Sequence, residues 1–287
     1  MSLRGQTASV GVADTPVGTR PDRSAAQLCI EAILGAVADA GLEMADVDGL
    51  ITCNSMVSPV LYHAELIAEA LRIEPRMCLT VNTGGGTTAA SVAHAAAAIQ
   101  AGLCSCVVIA KAENMATGLS KDRALATMAS AGHAQFEQPY GPPVPALYAF
   151  LARAHMDAFG TTPEQLARVA VSARSHAVRH PGAQMRTPIS VDDVLSSRMI
   201  ADPLHLLDCS LVSDGGAALV MVAADRAKHR HRAPVFVLGC GEGHRHEHIS
   251  QARSFVESGA VESGQRAFEM AGLGPGDVDV AGIYDCF

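Results

Sequence analysis

The chain has 287 residues, 49% of them hydrophobic, and a net charge of 21 − 29 = −8. That composition can bury a large core, as one big domain or two smaller ones, and the lack of any basic run argues against a nucleic-acid partner. No stretch reaches the ~18 apolar residues of a membrane span, and the start "MSLRGQTASVGVADT" has no apolar core of signal-peptide length.

Read in chain order, "ASVGVADT" is a strand and "SAAQLCIEAILGAVADAGL" an amphipathic helix ended by Gly41. "VDGLITC" is a second strand, "YHAELIAEALRI" a helix and "CLTVN" a strand. A turn of three glycines, Gly84, Gly85 and Gly86, then opens an alanine-rich helix. "CSCVVIAKAE" follows as a continuous apolar strand of the kind covered on both faces. This alternation predicts a layered α/β protein with a mostly parallel sheet. The eight cysteines form no C-x-x-C pair and are read as free thiols of a reducing cytoplasm. Cys104 and Cys106 are expected on one face of their strand.

From 114 to 208 the composition changes, and two helices stand out, "VPALYAFLARAHMDAFG" and "TPEQLARVAVSARSHAV". The second opens with "TTPEQ", a threonine cap with proline in the first turn. The segment reads as an insertion, after which "SDGGAALVMVAA" resumes the sheet. The boundaries are 1–113 plus 209–228 for the first half, 114–208 for the insertion, and 232–287 for part of a second half.

That second half rests on an internal repeat. "AGLEMADVDGLITC" (Ala40 to Cys53) matches "AGLGPGDVDVAGIYDC" (Ala271 to Cys286), each leaving a helix and entering a strand. Upstream of each, an apolar strand turns at glycine. The separation is 41 − 11 = 30 residues in the first copy and 272 − 239 = 33 in the second. The second copy stops at Phe287, so the remainder is expected from further sequence or from another chain.

On these residues the chain resembles thiolases of the sterol-carrier-protein type and their lipid-transfer-protein homologues. The motifs that carry the resemblance are "LRGQTASVGVADTPVG", "AILGAVADAGLEMADVDGL", "VNTGGGTTAASVAHAAAAIQAGLCSCVVIAKAEN", "FGTTPEQLARVAVSARSHAV", "ISVDDVLSSRMIADPLHLLDCSLVSDGGAALVMV" and "GIYDCF", in order along the chain. The resemblance implies a layered αβαβα fold of two related halves, the second incomplete. It also implies a homodimer in the cytoplasm acting on acyl-CoA thioesters, with coenzyme A as part of the substrate and no other cofactor. A small zinc-ribbon/OB-fold protein is the further partner it implies.

The family's nucleophilic cysteine stands four positions beyond the valine of "VN", which is Gly85 here. The chain is therefore expected to be a cysteine-less, C-terminally short member. Cys78 lies in the preceding strand, and Thr87 and Thr88 are read first as capping residues. What remains at Gly84, Gly85 and Gly86 is backbone N–H suited to a thioester oxygen, or equally a bare turn that permits close packing. At "YDCF" the family places asparagine or histidine, and this chain has Tyr284. Relatives that perform retro-aldol cleavage look similar there, which makes Tyr284 a candidate for handling the proton of a substrate hydroxyl. Asp285 is read as ordering the strand end and Cys286 as buried. The family's basic histidine and second cysteine fall beyond Phe287 and are assigned to no residue.

Three functions stay open: retro-aldol cleavage of a β-hydroxyacyl-CoA of lipid or steroid side chains, a non-catalytic acyl-CoA-binding subunit or truncated chain, and an acetyl-CoA acyltransferase. "GCGEGHRHEH" reads as a solvated loop, not as a zinc site or a dinucleotide fingerprint.

Overall fold

The computed structural model describes residues 2–227, 233–284 and 286–287, so Asp285 lies outside the described residues. In chain order the elements are β1 (Thr7–Asp14), α1 (Ala25–Asp39), β2 (Gly49–Thr52), α2 (His63–Leu71), β3 (Met77–Thr80), α3 (Thr87–Gln100), β4 (Cys106–Asn114) and α4 (Met115–Gly118). The chain continues through α5 (Lys121–Ala129), α6 (Val144–Phe159), α7 (Pro163–Arg179), α8 (Val191–Ser196), β5 (Met199–Ala201) and β6 (Leu204–His205). It then returns through β7 (Asp214–Ala223), α9 (Ala224–Ala227), β8 (Val235–Phe236) and α10 (Ala260–Ala271).

Two compact units result. The first comprises Met1–Gly118, Ser213–Gly243 and Ala260–Ala281; the second comprises Leu119–Val212, His244–Gly259 and Gly282–Phe287. The second unit thus draws two stretches from beyond the insertion.

In the first unit six strands run in the order β3-β2-β4-β7-β1-β8. Only β2 with β3 and β2 with β4 pair in parallel; β4/β7, β1/β7 and β1/β8 are antiparallel. The expectation of a mostly parallel sheet is therefore corrected. The reason lies in the insertion: β4 ends at Asn114, β7 begins at its pairing partner Asp214, and the chain re-enters the sheet at the end where it left.

α1 forms because Ser24 and Gln27 make a reciprocal capping box, and Leu28, Cys29, Ala32, Ile33, Ala36 and Val37 fall on one buried stripe. That stripe packs with Val10, Val108, Ala110, Val220 and Val222 on one sheet face. On the other face, Ala95, Ala96 and Ile99 of α3 cover Ile51, Val107, Ile109 and Met221. Cys104 belongs to this second cluster and Cys106 to the first. They do not share a face, because Cys104 precedes β4 and escapes the strand's alternation.

The repeat is visible in atomic detail. α1 and α10 each end at a glycine with left-handed φ, 63° at Gly41 and 61° at Gly272. Each is followed by a single 3₁₀ turn whose aspartate accepts from the backbone three residues back, Asp46 from Glu43 N at 2.9 Å and Asp277 from Gly274 N at 2.8 Å. Gly11 lies against Ala36 O and Ala40 N, and Gly239 against Ala267 O and Ala271 N. The copies diverge after that point: 278–284 form no strand among the described residues, contrary to the sequence expectation. In the second unit, Thr162 and Gln165 box the start of α7 with Pro163 at its first turn.

Candidate active site

In the first unit, the chain leaves β3, reaches Thr83, and makes one 3₁₀ turn over Gly84–Gly86 before α3 begins. Gly84 has φ +60°, a conformation that glycine adopts freely and other residues resist. The turn is held from inside. Thr87 Oγ1 donates to Gly84 O at 2.7 Å and accepts from Thr83 N at 3.0 Å, while Ser91 Oγ donates to Thr87 O at 2.8 Å. Among the described residues no side chain caps the helix starts at Thr83 or Gly86, and Gly84, Gly85 and Gly86 are all exposed. The helix start therefore presents bare backbone to whatever approaches.

Sequence reasoning missed a thiol beside this turn. Cys53 follows β2, and its Sγ donates to Asn82 Oδ1 at 3.1 Å, across 29 residues. Parallel pairing of β2 with β3 produces that approach, and no local motif announces it. Cys53, Thr87, Thr88, Ser91 and Lys111 line a small cavity of about 120 Å³. Burial pushes the Cys53 thiol above its ordinary value, and the Lys111 charge and a hydrogen bond with Thr87 offset only part of that. Burial and the Glu65 charge raise Cys78 to about 11. Both shifts favour the protonated thiol over the thiolate, which is the reactive form.

Eight cysteines are present, so "cysteine-less" does not describe the chain; Gly85 stands at one position only.

The other expected residue, Tyr284, belongs to the second unit and is 76% exposed. That unit forms a cleft of about 740 Å³ whose wall includes Cys286 and Phe287 of the tail but not Tyr284. The tail is tied into the cleft wall: Ser210 N donates to Cys286 O at 3.0 Å, and the rings of Phe287 and Tyr148 lie 4.6 Å apart. Tyr148 comes from α6. A hydrogen bond with Cys286, burial, and the electrostatic influence of Cys286 and Tyr284 push its phenol up to about 12. Cys286 is thus a half-buried wall residue.

Of the histidine loop, His246 lines the same cleft and His248 stands edge-on to His133 at 5.0 Å. Among the described residues no group of three or more His, Cys, Asp or Glu could hold a metal ion. Gly239 and Gly241 of "GCGEG" serve helix packing, since each presses on the α10 backbone.

The thiolase N-terminal domain family matches residues 8–225, and the thiolase C-terminal domain-like family matches 241–287. The chain belongs to the thiolase superfamily. Sterol carrier protein 2 of Gallus gallus is 28% identical over 283 residues, covering 91% of this chain and 50% of that protein. A steroid side-chain-cleaving aldolase of Thermomonospora curvata is 36% identical over 299 aligned positions, covering 99% of this chain and 75% of that protein. An acetyl-CoA acetyltransferase of Methanothermobacter thermautotrophicus is 34% identical over 284 residues, 98% of this chain and 73% of that one. Among solved structures, the Ltp2-ChsH2(DUF35) aldolase superposes with a TM-score of 0.84 at 34% identity, over 96% of this chain and 72% of that one. Human mitochondrial 3-ketoacyl-CoA thiolase, at 17% identity and a TM-score of 0.73, shares the fold of this thiolase-superfamily chain. No helix among the described residues is long and apolar enough to cross a membrane.

Proposed function

We propose that this thiolase-superfamily chain cleaves a β-hydroxyacyl-CoA by a retro-aldol step, on substrates of lipid or steroid side-chain metabolism. The observation that carries this reading is the chemistry of the glycine turn. Position 85, where the family carries its nucleophile, has no side chain, so no acyl group can be held there. The 36% identity to a steroid side-chain-cleaving aldolase supports the same reaction.

In this reaction Tyr284 relays the proton of the substrate β-hydroxyl. Its oxygen accepts that proton as its own passes to solvent, to which the side chain is open. The bond between the α and β carbons breaks, the β carbon becomes a carbonyl, and the electron pair moves to the α carbon as a thioester enolate. The thioester oxygen gains charge as the bond breaks, which calls for hydrogen-bond donors to it. The α carbon then takes a proton from solvent, giving a shorter acyl-CoA. Coenzyme A arrives with the substrate, and no other cofactor takes part.

The chain works in the cytoplasm as a homodimer, for which the edge strand β3 offers an unpaired backbone row. Its further partner is a small zinc-ribbon/OB-fold protein, supported by the likeness to the Ltp2-ChsH2(DUF35) aldolase.

The test is incubation of the chain, alone and with such a partner, with a β-hydroxyacyl-CoA. Equimolar ketone or aldehyde and shortened acyl-CoA are expected, and absence of both in either preparation rejects the reaction. Likeness to the archaeal acetyltransferase makes acyl transfer the second reading. A protein-bound acyl group, seen by intact mass after exposure to acetyl-CoA, decides for it.

A further inference from the structure

Tyr284 stands in a bare stretch of chain. Val280, Ile283 and Tyr284 are 88%, 81% and 76% exposed, and 278–284 form no strand among the described residues. A proton-transfer group has to sit about 2.6–3.2 Å from the atom it serves. A stretch with so little cover does not hold that range by itself, so the constraint has to come from neighbouring chain.

It comes directly afterwards. Cys286 and Phe287 belong to the cleft wall, and Ser210 N pins the backbone there by donating to Cys286 O at 3.0 Å. Two residues of chain span at most about 7 Å, so a fixed Cys286 confines the backbone of Tyr284 within that radius. How firmly Cys286 is held therefore decides how firmly the Tyr284 phenol is presented.

One side chain grips both residues of the tail. The ring of Tyr148 lies 4.6 Å from that of Phe287 at an interplanar angle of 34°, and its phenol hydrogen-bonds with the Cys286 side chain. Tilted ring pairs at such a separation attract beyond the area they bury. Tyr148 projects from α6, a helix of 16 residues, and its neighbour Ala149 is buried. A grip mounted on a helix is stiffer than one mounted on a loop. Tyr148 is itself 39% exposed, too open for a core residue. The hydrogen bond with Cys286 and burial hold its phenol up to about 12, so it stays a neutral donor in the neutral range and leaves proton transfer to the exposed tyrosine. Tyr284 contributes to that rise, which places the two phenols within electrostatic reach of each other.

We propose that Tyr148 is a positioning residue: it clamps the tail through Phe287 and Cys286, and the clamp fixes where the phenol of Tyr284 meets substrate. The clamp stands on these contacts alone, whereas its catalytic consequence rests on the retro-aldol reading.

The experiment uses the full chain with Tyr148→Leu, which removes ring and hydroxyl, and Tyr148→Phe, which keeps the ring. Each is also combined with Tyr284→Phe, and circular dichroism checks the fold. Hydrogen exchange of peptides within 278–287 reads the clamp without substrate. Tyr148→Leu should speed exchange there at least about tenfold, and Tyr148→Phe by a smaller factor. Turnover of a ring-bearing β-hydroxyacyl-CoA and of 3-hydroxybutyryl-CoA reads the consequence. Tyr148→Leu should lower kcat by about 10²-fold, the cost of a misplaced catalytic group, and Tyr148→Phe by less. In the Tyr284→Phe background neither substitution should lower kcat further, because a residue that acts only through Tyr284 has nothing left to place. If Tyr148→Leu does not fold, Tyr148→Phe carries the same comparison.

A fall in kcat of equal factor in both backgrounds overturns the proposal, since Tyr148 would then act structurally or as a second proton-transfer group. Unchanged tail exchange in the variants overturns it as well. Faster tail exchange with no cleavage of either ester by the parent keeps the clamp and rejects the retro-aldol reading. Cleavage at a rate indifferent to Tyr148 keeps the reaction and removes the positioning role.

Discussion

Two single residues carry most of the proposed chemistry, and each can be tested by a change of a few atoms. Tyr284 is 76% exposed, so its phenol supports little packing. Tyr284→Phe removes one hydroxyl and is expected to lower kcat for β-hydroxyacyl-CoA cleavage by about 10²- to 10⁴-fold, the usual range for losing a proton-transfer group. The melting temperature should stay within about a degree or two, as for other exposed substitutions. A fall in melting temperature that parallels the fall in rate would assign Tyr284 to folding instead. Gly85 invites the opposite change. Its φ is not in the left-handed region, unlike that of Gly84, so the backbone accepts a side chain. Gly85→Cys puts a thiol at an uncapped helix start, where the local dipole favours the thiolate. Intact mass after acetyl-CoA should then show an added acetyl group on the variant and none on the parent. Acetylation of the parent would refute the reading of that turn. Cys53 shows why burial matters more than proximity: it sits beside the same turn, yet its thiol is held protonated.

At the scale of elements, the packing glycines are the sharpest test of the repeat. A methyl on Gly11 would fall on the carbonyl oxygen of Ala36, and one on Gly239 on that of Ala267, the equivalent residue of the second copy. Gly11→Ala and Gly239→Ala are each expected to destabilise by about 1–3 kcal/mol, the usual cost of overpacking. Urea unfolding measures this, and unchanged midpoints for both would remove the close approach. These glycines were read in the sequence as points where a strand turns, at matched separations; Gly11 instead lies inside β1, and its contact with helix backbone was not visible. Local signals read well: "TTPEQ" became the boxed start of α7, and "AGL" became a left-handed helix stop in both copies. Signals that need a partner read badly. The stretch after Val278 has strand-forming residues yet forms no strand among the described residues, because a strand exists only when a neighbour completes its ladder. The thiol of Cys53 and the cleft between α6 and α7 were hidden for a similar reason. Both come from approaches between segments far apart in sequence, and an alanine on a helix looks the same whether it faces a void or a neighbour.

For the whole molecule, alternation of strands and helices gave the layered class, while the direction of β7 depended on where the insertion returns the chain. Each of the two units hangs on one buried carboxylate. In the first unit, Asp214 is fully buried; its Oδ1 accepts from Ala116 N at 2.8 Å and its Oδ2 from Arg20 N at 2.8 Å and Thr117 Oγ1 at 2.6 Å. In the second, Glu137 accepts from His133 N at 2.8 Å and Ser250 N at 2.7 Å, tying residues 244–259 to the insertion. Burial pushes both carboxyls up, but the donors outweigh it, and both end below their ordinary values. A depressed carboxylate binds its proton more weakly folded than unfolded, so its contribution is complete above the unfolded value and is lost as pH falls through the folded one. The window therefore opens in the ordinary carboxylate range and extends below it. Hydrogen exchange followed peptide by peptide across that window separates the two units. Asp214→Asn should flatten the acid dependence of protection in peptides of 1–118 and 213–243 and leave that of 119–212 as in the parent, while Glu137→Gln should do the converse. An equal flattening in both units from either substitution would show that they unfold as one body, and an unchanged slope in the substituted unit would show that its carboxylate does not hold it.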